Sequence, residues 1–300
     1  MEILTISHIC KQFGDKQVLS DLNFSVPAGS IFGFVGQNGA GKTTTMKMIL
    51  GLIAADRGEI RINGERVTYG QNKTNRYVGY LPDVPEFYSY MTPVEYLTFC
   101  GEITGMETRK IKSRTSELLA LVGLESEKRR IKGFSRGMKQ RLGIAQALLN
   151  QPKLLICDEP TSALDPIGRK EILDILLSSK EQVTVLFSTH ILSDVERICN
   201  QIALINEGHI ALSGTLEQIK KLHQAKGFEI ELEHSADADK LLSVFPSGKK
   251  LTDRHIIFNS QEEQQMTEVL GFTINQKLAL IKVERLEPTL ESLFLEVVGK

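Results

Sequence analysis

The sequence has no apolar run long enough to cross a membrane. Its longest runs, such as those at 154–157 and 184–187, extend over only a few residues, whereas a spanning helix needs 18 or more. The first ten residues, MEILTISHIC, lack a basic start followed by an apolar core, so we expect no secretory signal. We therefore expect a soluble chain, and any membrane-crossing part of its function would belong to another protein.

A charge imbalance and paired cysteines are also missing. Lys and Arg number 36 and Asp and Glu 37, a net charge of −1. A protein that binds nucleic acid through its overall charge would be clearly basic, so we expect no nucleic-acid partner. The cysteines, Cys10, Cys100, Cys157 and Cys199, form no C-x-x-C pair, which predicts small apolar residues in a reducing compartment. A cytoplasmic location is the corresponding expectation.

The 300 residues are about two domains' worth of chain. Residues 1–215 alternate strand and helix patterns, which predicts an α/β fold with a mainly parallel sheet. Residues of about 85–150 show helical patterns without strong strands, which predicts a helical subdomain inserted into this core. The clearest core elements are expected as strands at 31–35, 154–157 and 183–188 and a helix at 42–52.

A different pattern follows Gly214. Residues 216–225 predict a helical linker, and 226–300 predict a small C-terminal accessory α+β domain. Phe228, Ile230 and Leu232 alternate with glutamates, as in a strand with one buried face. No catalytic cluster is visible here, and His234 and His255 are expected to be isolated. Further elements are expected as strands at 255–258 and 278–283 and helices at 237–244, 262–270 and 288–298.

A phosphate site is predicted at Gly36–Thr43, where GQNGAGKT fits the Walker A (P-loop) pattern G-x-x-x-x-G-K-[ST]. Glycines let backbone N–H groups surround phosphate oxygens, Lys42 would reach the β- and γ-phosphates, and Thr43 would ligate Mg²⁺. The helix after the loop adds its positive N-terminal end. The strand before and helix after provide the context that the pattern requires, so nucleotide binding is predicted.

A second half of this site is predicted at residues 154–159, LLICDE, an apolar strand that ends in two acids. Alone, such a pattern is more typical of a solvated turn. Downstream of a P-loop, Asp158 can hold Mg²⁺ and Glu159 can orient or deprotonate a water molecule. The pair therefore favours ATP hydrolysis.

Residues 134–142 (FSRGMKQRL), together with the P-loop and residues 157–165 (CDEPTSALD), resemble the nucleotide-binding subunit of ABC transporters. The resemblance covers 1–215, and the nearest subgroup is the bacterial ABC-2-type exporters of the multidrug and bacitracin kind. Residues 287–294 (EPTLESLF) also resemble that subgroup's C-terminal ending. The resemblance implies a P-loop NTPase (ABC ATPase) core with ATP and Mg²⁺ as cofactors.

The resemblance implies roles for individual residues. Phe13 would stack on adenine, although a lone Phe in a short strand is more often a core residue. Asp158 would hold Mg²⁺ with Thr43, Glu159 would be the general base, and His190 would contact the γ-phosphate, where a lone histidine would more often be structural. The phosphate loop would comprise Gly36, Gln37, Asn38, Gly39, Ala40, Gly41, Lys42, Thr43 and Thr44.

The segment Ser135–Gly137, which we call the signature segment, corresponds to family residues that complete the partner subunit's site. A hydroxyl and N–H groups at a helix start are good donors to a γ-phosphate. The resemblance thus implies a homodimer, or pairing with a related ATPase subunit, around two ATP molecules, with Asp165 coupling the sites. Arg136 replaces a glycine and Met138 a glutamine of the common form, and we expect activity to survive both changes.

A further departure is Asp83, which stands where the family usually has a glutamine that touches Mg²⁺. Asp83 could reach the metal through water, or it could be a loop acid that forms a turn with Pro82; both alternatives stay open. Just beyond it, Phe87, Tyr88 and Tyr90 lie within seven residues. They predict a docking groove for a permease helix at 83–91, with core packing as the alternative.

Together these features predict an ATPase that drives a separate multi-span membrane permease, with export as the expected direction. The protein would be peripheral at the inner face of the cell membrane. The alternatives are an ABC-type ATPase acting on ribosomes or DNA, and a small-molecule kinase. A single cassette and the lack of a heptad insertion among residues 45–130 disfavour the first, and the signature segment disfavours the second.

Overall fold

The computed structural model of the chain describes residues 1–71, 73–222, 227–259, 263–286, 290–291 and 293–294. The chain divides into two compact units, Met1–Glu217 and Gln218–Lys300. Each unit has a hydrophobic core of its own.

Strands and helices are numbered in chain order. The strands are β1 (Glu2–Phe13), β2 (Lys16–Pro27), β3 (Ile31–Val35), β4 (Arg57–Ile62), β5 (Glu65–Arg66), β6 (Val78–Leu81), β7 (Leu154–Asp158), β8 (Thr184–Thr189), β9 (Gln201–Asn206), β10 (His209–Thr215), β11 (Phe228–Leu232), β12 (Gly248–Thr252), β13 (His255–Phe258) and β14 (Leu280–Arg285). The helices are α1 (Lys42–Ile49), α2 (Pro93–Ile103), α3 (Thr108–Leu121), α4 (Arg136–Leu148), α5 (Pro166–Ser179), α6 (Leu192–Ile198), α7 (Leu216–Leu222), α8 (Ser235–Val244) and α9 (Glu263–Asn275), with short 3₁₀ helices at Lys73–Tyr77 and Ile131–Gly133.

The main sheet of the first unit has the strand order β10-β9-β3-β8-β7-β6. Strands β9, β3, β8, β7 and β6 pair in parallel, and β10 is antiparallel to β9. Every residue of β3, β7 and β8 is buried, as expected for parallel strands covered on both faces. Because these strands run in one direction, the segments after β3, β7 and β8 meet at the same sheet edge.

A second, antiparallel sheet with the order β2-β1-β4-β5 lies in the same unit. The prediction of strands alternating with helices missed it, because β1 and β2 follow each other directly. The signal was available as alternation: Leu4 and Ile6 are buried in β1, and Leu22, Phe24 and Val26 in β2. The predicted fold class, an α/β core with an inserted helical subdomain and a following α+β part, is nevertheless confirmed.

The inserted subdomain is formed by α2, α3 and α4. Helix α2 begins with a capping box, in which Thr92 accepts from the Glu95 N–H and Glu95 accepts from the Thr92 N–H, so two free donors are satisfied reciprocally. Helix α1 ends at Ile49 rather than at residue 52, because Gly51 adopts a φ of 71°. The N–H of Leu52 then donates to the Lys47 carbonyl, a closing bond of the Schellman type.

The second unit contains an antiparallel sheet of order β12-β13-β11-β14. The alternation predicted for β11 is observed, with Phe228, Ile230 and Leu232 buried in a core shared with α8 and α9. Of the helix expected at 288–298, residues 290, 291, 293 and 294 are helical, and the others lie outside the described residues. The same limit applies to the linker beyond residue 222 and to half of the family-like ending at 287–294, namely residues 287–289 and 292.

Two further features concern the cysteines and the length and hydropathy of the helices. All four cysteines are free; Cys157 and Cys199 are buried, whereas Cys10 and Cys100 are partly exposed. No helix in the described part of the chain is both long enough and apolar enough to cross a membrane.

Candidate functional site

The loop between β3 and α1 has the geometry of a phosphate cradle. Gly39 and Gly41 have φ of 85° and 110°, a region that side chains other than glycine rarely adopt. A Cβ at Gly36 would lie 2.6 Å from the Ile205 carbonyl oxygen, so the backbone approaches β9 too closely for any other residue. Within the loop Gln37, Asn38, Gly39 and Thr43 are exposed, and Ala40 and Thr44 are half-buried.

The Lys42 side chain is only 5% exposed and folds back over this loop. Its Nζ donates to the carbonyls of Gly36 at 2.8 Å and Gln37 at 3.2 Å. It also lies 3.1 Å from Glu159 Oε1, as an ion pair without the directional geometry of a hydrogen bond. The lysine charge is therefore held at the mouth of the loop, beside the acid that follows β7.

Glu159 joins the loop to the segment after β8. Its Oε2 lies 2.8 Å from His190 Nδ1, so Lys42, Glu159 and His190, which the sequence assigned to one site, form one chain of contacts; their individual roles stay predictions. Glu159 has a φ of 48°, a left-handed conformation that is uncommon for residues other than glycine. Its N–H donates to both the carbonyl and the hydroxyl of Ser188 at 3.1 Å.

Ser188 is a residue to which the sequence analysis gave no role. It lies opposite Asp158 in the parallel register of β7 and β8, is fully buried, and donates from Oγ to Asp158 Oδ1 at 2.7 Å. A polar residue within an apolar strand that ends beside the two acids was the available signal.

The donor set fits Mg²⁺. Asp158 is 3% exposed, and because Ser188 engages Oδ1, the other carboxylate oxygen is the one available to a cation, while Thr43 is exposed in the phosphate loop. No cluster of three or more His, Cys, Asp or Glu suited to a metal occurs among the described residues. One carboxylate and one hydroxyl are the protein share expected when Mg²⁺ is bound together with nucleotide phosphates and water.

The signature segment is held locally. Ser135 is the N-cap of α4, and its Oγ accepts from the Met138 N–H at 3.2 Å. This bond uses an oxygen lone pair, so the hydroxyl proton remains able to donate. Ser135 and Arg136 are exposed and Gly137 is partly exposed. The structure therefore places this segment on its own helix, rather than in the Lys42–Glu159–His190 group.

Two other predicted residues have clear surroundings. Phe13, at the end of β1, is 48% exposed, with Lys11 Nζ 5.1 Å from the ring centroid; it is therefore not a core residue. Asp165 is the N-cap of α5 and accepts from the Gly168 N–H at 3.1 Å.

Asp83 and Arg136, two departures from the family pattern, contact each other. Arg136 Nη2 lies 3.2 Å from Asp83 Oδ1, and buried Gln140 donates to the Asp83 carbonyl at 2.6 Å. Burial raises the pKa of the Asp83 carboxyl, Arg136 opposes this, and the nearby Asp158 and Glu159 add to it. Its role as a metal ligand stays a prediction, but the structure supplies an alternative partner for its charge.

A groove of about 430 Å³ lies beside this pair. Three hydrogen bonds connect the loop at 83–91 to the helical subdomain. The Gln140 side chain donates to the Asp83 carbonyl. The N–H groups of Ile131 and Lys132 donate to the carbonyls of Met91 and Ser89. The groove is lined by Asp83, Val84, Pro85, Glu86, Phe87, Ser89, Ile131, Arg136 and Lys139.

The aromatic residues at 87–90 differ in their surroundings. Phe87 lines the groove and packs edge-on against Tyr96, with ring centroids 5.0 Å apart. Tyr88 packs edge-on against Phe99 at 5.4 Å and lies 6.0 Å from the exposed Tyr90. Local packing therefore accounts for part of the aromatic cluster, and Phe87 is the aromatic that lines the groove.

In the second unit, the expectation that His255 is isolated is wrong. Its Nε2 lies 3.1 Å from Glu229 Oε2, because the two residues stand on neighbouring strands β13 and β11. This charged partner could not be seen in the sequence, where the two residues are far apart. His234 is the N-cap of α8, without a side-chain cap bond.

A phosphate loop after β3, acids at the end of β7 and a histidine after β8 define a P-loop nucleotide hydrolase. Comparisons with known proteins narrow this class. Residues 19–162 match the family model described as "ABC transporter", and residues 214–298 match "ATP-binding protein DrrA1-3-like, C-terminal domain".

Similar proteins cover the whole length of the chain. The uncharacterized ABC transporter ATP-binding protein YxlF of Bacillus subtilis (strain 168) is 37% identical over 99% of each chain. The bacitracin transport ATP-binding protein BcrA of Bacillus licheniformis is 34% identical over 99% of this chain and 97% of its own. A solved ATP-binding subunit of an ABC transporter, 34% identical, matches with a TM-score of 0.65 over 73% of this chain and 92% of that chain.

The chain belongs to the family of ABC transporter ATP-binding proteins. It is an ATPase and the ATP-binding subunit of an ABC transporter, as the resemblance predicted. Its matches include relatives of the bacitracin type.

Proposed function

We propose that the protein hydrolyses ATP as a head-to-tail dimer, with itself or with a related subunit, and drives export through a separate multi-span permease. It would act at the cytoplasmic face of the cell membrane. The observation that carries the dimer is the separation of donors: Glu159 contacts both Lys42 and His190, whereas Ser135 is exposed at the start of α4. A second copy can bring that hydroxyl to the phosphates.

In this proposal the amides of the phosphate loop and Lys42 bind the phosphates of ATP. Mg²⁺, held by Thr43 and Asp158, would neutralise charge on the phosphate oxygens. Glu159 orients the attacking water and accepts its proton, while His190 contacts the γ-phosphate. Phosphates compete with Glu159 for Lys42, so nucleotide binding would weaken the 3.1 Å ion pair and leave the carboxylate available to water.

The permease would bind at the groove beside Asp83. Val84 and Phe87 provide apolar surface, and both acidic and basic side chains line the same groove. Such a mixture suits an amphipathic segment that buries an apolar side and pairs its polar side at the rim. The groove also includes Arg136 of the signature segment, so the occupant would contact a residue adjacent to Ser135.

Copurification in mild detergent from the native membranes tests the partner, with bound proteins identified by mass spectrometry. Val84→Asp is the informative variant, since Val84 is 62% exposed in the groove, whereas changing Phe87 and Tyr88 would also remove their packing on Tyr96 and Phe99. Ile103→Asp is the matched control, because Ile103 is 68% exposed and does not line the groove.

Recovery of a multi-span membrane protein with native protein and with Ile103→Asp, but not with Val84→Asp, is the expected result. Recovery of ribosomes or nucleic acid without a membrane protein would overturn the transport proposal and leave the ATPase assignment intact.

A further inference from the structure

Ser188 occupies a position from which it contacts both acids of the nucleotide site. It is fully buried in β8 and lies opposite Asp158 in β7. The hydroxyl donates to Asp158 Oδ1 at 2.7 Å and accepts from the Glu159 N–H at 3.1 Å. Ser188 Oγ thus hydrogen-bonds to both Asp158, the proposed metal ligand, and Glu159, the proposed general base.

The bond to Asp158 determines how the carboxylate is turned. A buried carboxylate with one oxygen fixed by a short hydrogen bond has little rotational freedom, and its second oxygen then points in a defined direction. Groups that hydrogen-bond to metal ligands in this way orient them, and their loss typically reduces metal affinity by about 10–100-fold.

The hydrogen bond from the Glu159 N–H restrains the backbone that carries the Glu159 side chain. The Glu159 backbone has a φ of 48°, and its N–H is held by both the hydroxyl and the carbonyl of Ser188. The carbonyl would remain in any substitution of Ser188, whereas the hydroxyl would be lost in Ser188→Ala. The serine side chain therefore adds a second restraint on a residue whose backbone conformation is unfavourable by itself.

We propose that Ser188 is a positioning residue that sets the orientation of Asp158 toward Mg²⁺ and of Glu159 toward the attacking water. Because Ser188 is fully buried, it would act through these two acids. This inference rests on the proposed roles of Asp158 and Glu159. It assigns to β8 a function beyond that of carrying His190.

The test measures cation binding separately from turnover, in the full-length protein. Binding of Mn²⁺, a paramagnetic substitute for Mg²⁺, is followed by electron paramagnetic resonance in the presence of ATP. ATP binding in EDTA is followed by calorimetry. For Ser188→Ala we expect Mn²⁺ affinity to fall by about 10-fold or more, ATP affinity in EDTA to stay within about twofold, and turnover to remain reduced at saturating cation.

Two variants separate positioning from general stability. Ser179→Ala removes another buried hydroxyl, which donates to the Ile175 carbonyl within α5, and we expect it to leave Mn²⁺ affinity unchanged. Ser188→Thr restores the hydroxyl and should recover most of the Mn²⁺ affinity. If its extra methyl group lowers the melting temperature, Ser188→Cys, a near match in volume and a weaker donor, should give intermediate affinity.

Native-like Mn²⁺ affinity in Ser188→Ala, with a lowered melting temperature, would show that the hydroxyl serves only folding and would overturn the positioning role alone. Failure of the native protein to bind Mn²⁺ in the presence of ATP would instead overturn the proposed metal role of Asp158, and the positioning role with it.

Discussion

The two sets of phosphate donors in this chain are built in opposite ways. In the first set, Lys42 is buried, and its Nζ is held by the Gly36 carbonyl of the phosphate loop and by Glu159 after β7. Ser135 is exposed and is held by a cap bond within its own helix. The first set is positioned by the fold of a single chain, whereas the second is presented at a surface. In the proposed dimer, the first set would act within one chain and the second would act on the ATP of a second copy.

The largest effect should come from Glu159→Gln, which removes the base and leaves the shape of the side chain. Turnover should fall by roughly 10²–10⁴-fold, the range for loss of general acid–base catalysis. ATP should still bind, and because hydrolysis no longer reopens the complex, the ATP-bound dimer should accumulate. Phosphate release and size-exclusion chromatography with ATP measure the two results.

Glu207→Gln is the control for that change. Glu207 is exposed, and its φ of 46° matches the 48° of Glu159, so the control makes the same chemical change in the same backbone conformation. Native turnover is expected from it. Full turnover in Glu159→Gln would remove Glu159 from the role of base.

A smaller but still large effect is expected from Lys42→Ala. Hydrogen bonds to charged groups contribute about 1.5–3 kcal/mol, which corresponds to a loss of ATP affinity of roughly 10–100-fold. Because Lys42 belongs to the donors fixed within one chain, the loss should be the same at every protein concentration. Calorimetric titration over a range of concentrations tests this, and a concentration-dependent loss would show that Lys42 also depends on a second copy.

Ser135→Ala should distinguish most directly between donors that act within one chain and donors that act on a second copy. Dilute protein should bind ATP within about twofold of native affinity, whereas turnover at high protein concentration should fall about tenfold, the effect of losing one hydrogen bond of about 1.4 kcal/mol. Turnover measured against protein concentration is the readout.

The change also removes a helix cap, which costs about 1 kcal/mol of stability. Thr92→Ala, which removes the cap of α2, controls for that cost and should leave turnover near native. Weakened ATP binding by dilute Ser135→Ala would place the hydroxyl in its own chain's site.

The smallest effect is expected from Arg136→Gly, which restores the common family residue. Both members of the Asp83–Arg136 pair are about half exposed, and such pairs contribute about 0–1 kcal/mol. Stability in urea should therefore change by less than about 1 kcal/mol. A larger loss of stability in Arg136→Gly that disappears in the double variant with Asp83→Asn would show that Arg136 mainly neutralises the charge of Asp83.

The fold was predictable where one local pattern decides the structure. Apolar runs ending in glycine or acids located β3 and β7, and alternation located β11. The antiparallel sheet was missed because its strands β1 and β2 directly follow one another, outside the strand–helix alternation that dominates later residues. The end of α1 depended on Gly51, whose left-handed backbone stops the helix within an otherwise helical pattern.

The site was predictable to the extent that its residues stand in short motifs. The structure places Glu159 in contact with both Lys42 and His190, three residues that the sequence assigned to one site. The Ser188 bonds and the Asp83–Arg136 pair could not be foreseen, because each joins residues that are distant in the sequence. Whether two side chains meet across β7 and β8 depends on strand register, which local patterns do not specify.

The left-handed backbone at Glu159 has a consequence for how this protein can be stabilised. A residue without glycine's freedom costs about 1–3 kcal/mol in such a conformation, and asparagine tolerates it better than glutamate does. Selection for thermal resistance alone would therefore favour replacing the residue to which we assign the role of general base. Thermostable variants found without an activity screen should accumulate changes at position 159, and a search for a sturdier enzyme must hold that position fixed.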